Sequence, residues 1–167
     1  IINKHNGWMY LESEYKKGTK VTIFLPATEK RTEMYGDADL YSREKILVMD
    51  DEQGILDVVE KILTQYGYET DIAKDGKTAV KMYKHQYLEG NCYSAVILDN
   101  TIPGGMGGKE VVRELLKIDL DVRAILTSGY TNDEVMSRYK EYGFCASIEK
   151  PFTFEKLNQM IRKVMKR

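Results

Sequence analysis

Lys45-Ile46-Leu47-Val48-Met49-Asp50-Asp51 is an apolar run closed by two adjacent carboxylates, and Ser94-Ala95-Val96-Ile97-Leu98-Asp99 closes the same way with one. A strand with an acid at its C-terminal end delivers that acid to one rim of a parallel sheet. Open α/β sheets bind their ligands at that rim. Three carboxylates gathered there repel one another unless a cation sits among them. Oxygen ligands favour a hard ion, Mg2+ or in its place Mn2+.

On either side of these runs the pattern alternates. Strand-like segments fall at 45–50, 68–73, 94–99, 122–127 and 144–149, with helical stretches between them. Ile55, Val58, Val59, Ile62, Leu63 and Tyr66 recur at helical spacing, and Gly67 stops that helix. Ala79, Met82 and Tyr83 mark a second helix, and Val111, Val112, Leu115 and Leu116 a third. Val135, Tyr139 and Tyr142 indicate a fourth, and Leu157, Ile161, Val164 and Met165 the last. Short strands alternating with helices of this length mean βαβ units and a parallel sheet. Val96-Ile97-Leu98 is apolar on both faces, as in a buried central strand. The expected fold is α/β: a doubly wound, five-stranded parallel sheet over 44–167, with strand order 2-1-3-4-5.

Residues 1–27 differ. Trp8 to Glu14 and Lys20 to Leu25 read as two strands joined by a turn at Tyr15-Lys16-Lys17-Gly18-Thr19. An isolated hairpin is marginal in water. It must lean on the main domain, pair with another chain in a dimer, or be the torn edge of a larger sheet. Residues 28–43 are polar, mixed in charge and without period, which makes them a linker.

The 167 residues have room for one ordinary domain and an appendage. A net charge of −1 leaves no basic footprint for nucleic acid. No apolar stretch approaches the roughly 20 residues that span a bilayer. Cys92 and Cys145 are too isolated for a disulfide framework or a zinc site, which fits reduced thiols in the cytoplasm. Ile1 is not an initiator Met, so the chain reads as a piece of a longer one.

The sheet topology should bring Asp50, Asp51 and Asp99 together. The fourth strand ends in Thr127-Ser128, a source of hydroxyls at the same rim, and the fifth in Glu149-Lys150-Pro151, a source of an ammonium. A carboxylate nucleophile, metal-binding acids, a hydroxyl donor and a lysine suit phosphoryl transfer to a carboxylate. Each part has a plainer reading. An acid pair before a helix is often a cap, and a lone strand-end Asp or Lys is often only solvated. Their convergence on one rim favours the chemistry.

Residues 44–167 resemble the receiver domain of bacterial two-component signalling. The resemblance rests on Met49-Asp50-Asp51-Glu52, Leu98-Asp99 followed by Pro103, Thr127-Ser128-Gly129-Tyr130, and Lys150-Pro151-Phe152, in that order. It implies a flavodoxin-like receiver fold with Asp99 as phosphoacceptor. Asp99 would also belong to a Mg2+ site, which Asp51 would bind directly, Asp50 largely through water, and Thr101 through its backbone carbonyl. Thr127 and Lys150 would contact the phosphoryl group. The donor would be a phosphohistidine-bearing kinase domain or a histidine phosphotransfer protein. Two positions depart from the family: Ser147 stands where an aromatic is common, and Asn100 where an apolar residue is usual.

Residues 1–27 resemble the end of a histidine-kinase ATP-binding domain. The matching residues are Lys4-His5-Asn6-Gly7-Trp8, Glu12-Ser13-Glu14, Lys17-Gly18-Thr19 and Phe24-Leu25-Pro26. The parent would then be a hybrid histidine kinase, possessing a membrane anchor elsewhere, with this receiver at its C-terminus. The dimerisation helix and the Asp-x-Gly-x-Gly element of such kinases are absent, so these residues are not a working kinase. Pro103 to Glu110 is rich in glycine but lacks the first glycine and the Ser/Thr of a P-loop, and reads as a flexible lead-in to the third helix.

Two other classes compete. A dehalogenase-like phosphohydrolase also uses a strand-end Asp, but needs a second Asp two residues on, where this chain has Thr101. A pseudo-receiver that only binds partners would have no need of the intact acids, Thr127 and Lys150.

Overall fold

The computed structural model describes residues 8–14, 16, 18–24, 44–129 and 134–166. Residues 1–7 and the 28–43 linker lie outside the described residues, as do Pro26 and Tyr130. The chain divides into two compact units, residues 1–41 and 42–167.

In the first unit, β1 (Trp8–Glu14) and β2 (Gly18–Phe24) form an antiparallel hairpin, in register from Trp8 opposite Phe24 to Glu14 opposite Gly18. Side chains alternate across a strand, so the pairs Met9–Ile23 and Leu11–Val21 share one face. All four are exposed. Polar cross-strand pairs accompany them: Ser13 and Thr19 share a hydroxyl hydrogen bond of 2.9 Å, and Lys20 lies 3.5 Å from Glu12.

The second unit is a parallel sheet of β3 (Lys45–Met49), β4 (Glu69–Ala73), β5 (Ala95–Asp99), β6 (Ala124–Ser128) and β7 (Ala146–Glu149). Their spatial order is β4-β3-β5-β6-β7, the expected 2-1-3-4-5. The connecting helices are α1 (Gln53–Gln65), α2 (Gly76–Leu88), α3 (Gly108–Leu116), the single turn α4 (Glu134–Ser137) and α5 (Phe154–Met165).

Alternation along the strands splits the interior into two cores. Leu47, Met49, Val96, Leu98, Ala124 and Leu126 pack with Ala79 and Tyr83 of α2 and Val111, Val112 and Leu115 of α3. Ile46, Val48, Ala95, Ile97, Ile125, Ala146 and Ile148 pack with Leu56, Val59 and Leu63 of α1 and Leu157 and Ile161 of α5. Every residue of β5 and β6 is buried, because helices cover both faces of the central strands.

The strands are shorter than expected by up to two residues, although the Arg123 carbonyl still accepts from the Val96 amide at 2.8 Å. The fourth helix differs more. Instead of one apolar-faced helix there is α4 and then a separate 3₁₀ turn, Tyr139–Tyr142. Gly143 ends it with φ 96°, a conformation side chains rarely adopt, and a Cβ there would lie 2.5 Å from Leu116 Cδ1. The tyrosines expected on a helix face instead flank a tight turn, held by the Gly143 amide on the Lys140 carbonyl at 3.1 Å.

Candidate functional site

Four of the sequence-selected side chains continue one pleat face. Ile46 and Val48 are followed at the same parity by Asp50, Ala95 and Ile97 by Asp99, Ile125 by Thr127, and Ala146 and Ile148 by Lys150. The α1/α5 core face thus turns polar at the C-terminal rim, and the four side chains arrive there from four adjacent strands. Asp51 has the opposite parity and is exposed at the start of the β3–α1 connection.

Backbone bonds fix the positions. Asp99 ends β5 opposite Thr127, and the Asn100 amide donates to the Thr127 carbonyl at 2.8 Å. The Lys150 amide donates to the Ser128 carbonyl at 2.8 Å, and the Lys150–Pro151 peptide is cis. Asp50 donates its amide to the Ala73 carbonyl at 3.1 Å. Its Oδ1 accepts from the Glu52 amide at 2.9 Å. Glu52 is the N-cap of α1 and forms no side-chain cap, so neither acid of the pair serves as a simple helix cap.

The charges are concentrated and largely dry. Asp50 is 2% exposed, Asp99 6% and Thr127 2%. Lys150 Nζ lies 2.5 Å from Asp50 Oδ2 and 3.1 Å from Asp99 Oδ2. The double pairing of the lysine was not visible in the sequence, because it depends on how far β7 sits from β3 across the intervening strands. Asp99 Oδ1 is buried with no hydrogen-bond partner. Burial pushes the Asp99 carboxyl up to about 6; Lys150 pulls it down and Asp50 adds to the rise. Burial works against the Lys150 ammonium, but Asp99 and Asp50 outweigh it and hold its pKa above the ordinary lysine value. Glu52 is raised too, first by burial and then by Asp50. It adds a fourth acid to the rim, one the Asp50-Asp51-Glu52 run already displayed.

Oxygens of Asp50, Asp51 and Asp99 all lie within 4.8 Å of one another. Among the described residues the Lys150 ammonium pairs with two of these three carboxylates, Asp50 and Asp99, and the buried Asp99 Oδ1 lacks a donor. An all-oxygen set with excess negative charge fits a hard divalent cation. Thr101, two residues after Asp99, is exposed beside the cluster in sequence.

Residues 46–162 match the family described as the response regulator receiver domain. The chain belongs to that family. Among its curated relatives, this receiver is 29% identical over 122 residues to sporulation initiation phosphotransferase F of Bacillus subtilis, covering 73% of this chain and 94% of that protein. It is 27% identical to sensor kinase CckA of Brucella abortus over an alignment that takes in all of this chain and 18% of the kinase. The chain therefore spans under a fifth of that relative. Among solved structures, the receiver superposes on a chain of the CheX–CheY–BeF3–Mg2+ complex of Borrelia burgdorferi with a TM-score of 0.66 and 27% identity, over 72% of this chain and 87% of that one. It is a receiver domain of two-component signalling.

Among the described residues, no helix of the receiver is long and apolar enough to cross a membrane.

Proposed function

We propose that this receiver accepts a phosphoryl group from phosphohistidine onto Asp99 in a Mg2+-dependent reaction, as the C-terminal receiver of a hybrid histidine kinase. The observation that carries the chemistry is Asp99 itself: a buried carboxylate with one oxygen paired to Lys150 and the other without a donor, beside two further acids. Asp50, Asp51, Asp99 and the Thr101 carbonyl would hold the ion. When bound, Mg2+ neutralises charge on the phosphoryl oxygens.

In the transfer, an Asp99 oxygen forms the new O–P bond as the N–P bond of phosphohistidine breaks. The electron pair returns to the imidazole nitrogen, which takes a proton from solvent. Lys150, kept charged by its two acids, offers its ammonium to the phosphoryl oxygens. The Thr127 hydroxyl, on the strand paired to Asp99, donates a hydrogen bond to one of them. The partner is a phosphohistidine-bearing kinase domain or phosphotransfer protein.

The kinase context rests on different support. A sensor kinase aligns with this chain along its whole length, hairpin included. Residues 1–27 are then the end of its ATP-binding domain and 28–43 the linker to the receiver, on the cytoplasmic side of a membrane-anchored parent.

Incubation with Mg2+ and a small acyl phosphate should add the mass of one phosphoryl group, and a chelator should prevent it. An adduct that forms equally well in the chelator refutes the metal's part. The gene's upstream reading frame tests the context: a kinase core should precede residue 1, and a frame without one removes the hybrid assignment.

A further inference from the structure

We propose that Gly107 is a positioning residue for the phosphoacceptor site, holding the 99–101 backbone where the cation and phosphoryl group need it. The inference rests on the reading of Asp99 and Thr101 as cation ligands.

Gly107 caps α3 with φ −81° and ψ 179°, a conformation open to any residue. Its requirement for glycine is therefore one of space. A Cβ at Gly107 would lie 2.1 Å from the Asn100 carbonyl oxygen and 3.1 Å from its carbon. The obstacle is backbone, and it cannot rotate away. Gly108 repeats the contact one residue back: a Cβ there would lie 3.0 Å from the Asp99 carbonyl oxygen. Two consecutive glycines thus bring the start of α3 against two consecutive carbonyls, those of the phosphoacceptor and its neighbour.

Both sides of the contact are pinned. On the helix side, the Gly107 amide donates to Glu110 Oε2 at 3.1 Å and its carbonyl accepts from the Val111 amide at 3.0 Å. On the strand side, the Asn100 amide donates to the Thr127 carbonyl at 2.8 Å. The loop is braced again at Met106, whose Cβ would lie 2.6 Å from a Cβ at Gly76, the first residue of α2. The glycine-rich segment expected as a flexible lead-in is instead packed closely at both of these points. Asn100 joins Asp99 to Thr101, so a push on its carbonyl turns the 100–101 peptide and shifts the two residues that bear the proposed ligands. Groups that orient ligands in this way tune a metal site as the ligands do.

Mg2+ affinity measured by calorimetry on metal-free protein, alongside thermal unfolding, tests the role. Gly107→Ala should weaken Mg2+ binding on the order of tenfold, and the milder Gly108→Ala a few-fold, in protein that is still folded. A purely structural glycine would lower the melting temperature and leave the affinity of the folded protein unchanged. Folded variants with affinities within about twofold of wild type overturn the proposal. If Gly107→Ala does not fold, Gly108→Ala decides on the same criterion. Wild-type protein that binds no Mg2+ overturns the site reading and this inference with it, whereas wild-type binding with unchanged variants overturns this inference alone.

Discussion

Burial of the Asp99 carboxyl works against its charged form, so the proposed phosphoacceptor should destabilise the metal-free fold at neutral pH. Its carboxyl is raised from 3.8 to about 6, chiefly by burial. A raised folded-state pKa gives stability that is present below the unfolded value and lost as pH rises through about 6. The difference corresponds to about 3 kcal/mol. Asp99→Asn should therefore be more stable than wild type at pH 7.5 without metal, with the gap closing towards pH 4, as read by denaturant unfolding across pH. A gap that is constant with pH would show that Asp99 is not strained by burial. Mg2+ held as proposed would take the carboxylate form, so it should raise the wild-type melting temperature at pH 7.5 and leave Asp99→Asn far less affected. Asp50, Asp99, Thr127 and Lys150 were all legible as candidates, since each ends an apolar strand run whose parity points it to the same side. The Lys150–Asp50 pair was not legible, because strand-end parity says nothing of which acid a long side chain reaches.

At the scale of elements, the supports of the site are local and separable. The Tyr83 hydroxyl, on α2, donates to Asp119 Oδ2 at 2.7 Å, and Asp119 Oδ1 accepts from the Asp121 amide at 2.9 Å. Burial and then Asp119 raise the Tyr83 phenol far above its ordinary range, so the donor persists at any working pH. This pair ties α2 to the loop after α3, well away from the acids in sequence. Tyr83→Phe should cost about 1–2 kcal/mol of stability with Mg2+ affinity unchanged; a loss of affinity would mean that the α2–α3 packing reaches the site. The long helices were readable because their apolar positions repeat over several turns. The 134–142 segment was not, since one turn of α-helix and one of 3₁₀ share the same sparse apolar spacing, and where the second turn ends depends on Gly143 packing against Leu116.

At the scale of the molecule, both cores and every candidate ligand lie in the second unit. Residues 44–167 expressed alone should match the whole chain in melting temperature and in the yield of the proposed phosphoryl adduct. Loss of either would show that the hairpin supports the receiver. The sheet order was legible because right-handed βαβ connections leave few arrangements for five strands. What covers the exposed face of Met9, Leu11, Val21 and Ile23 was not, because a hairpin carries no record of its neighbours. Of the three acids at the rim, Asp50, Asp51 and Asp99, phosphorylation is proposed at Asp99 alone. Wild-type protein treated with Mg2+ and acetyl phosphate, reduced with borohydride and mapped by peptide mass spectrometry, identifies the acid that reacted. Homoserine at position 99 alone is the predicted result; homoserine at position 50 or 51, or none at all, would contradict it.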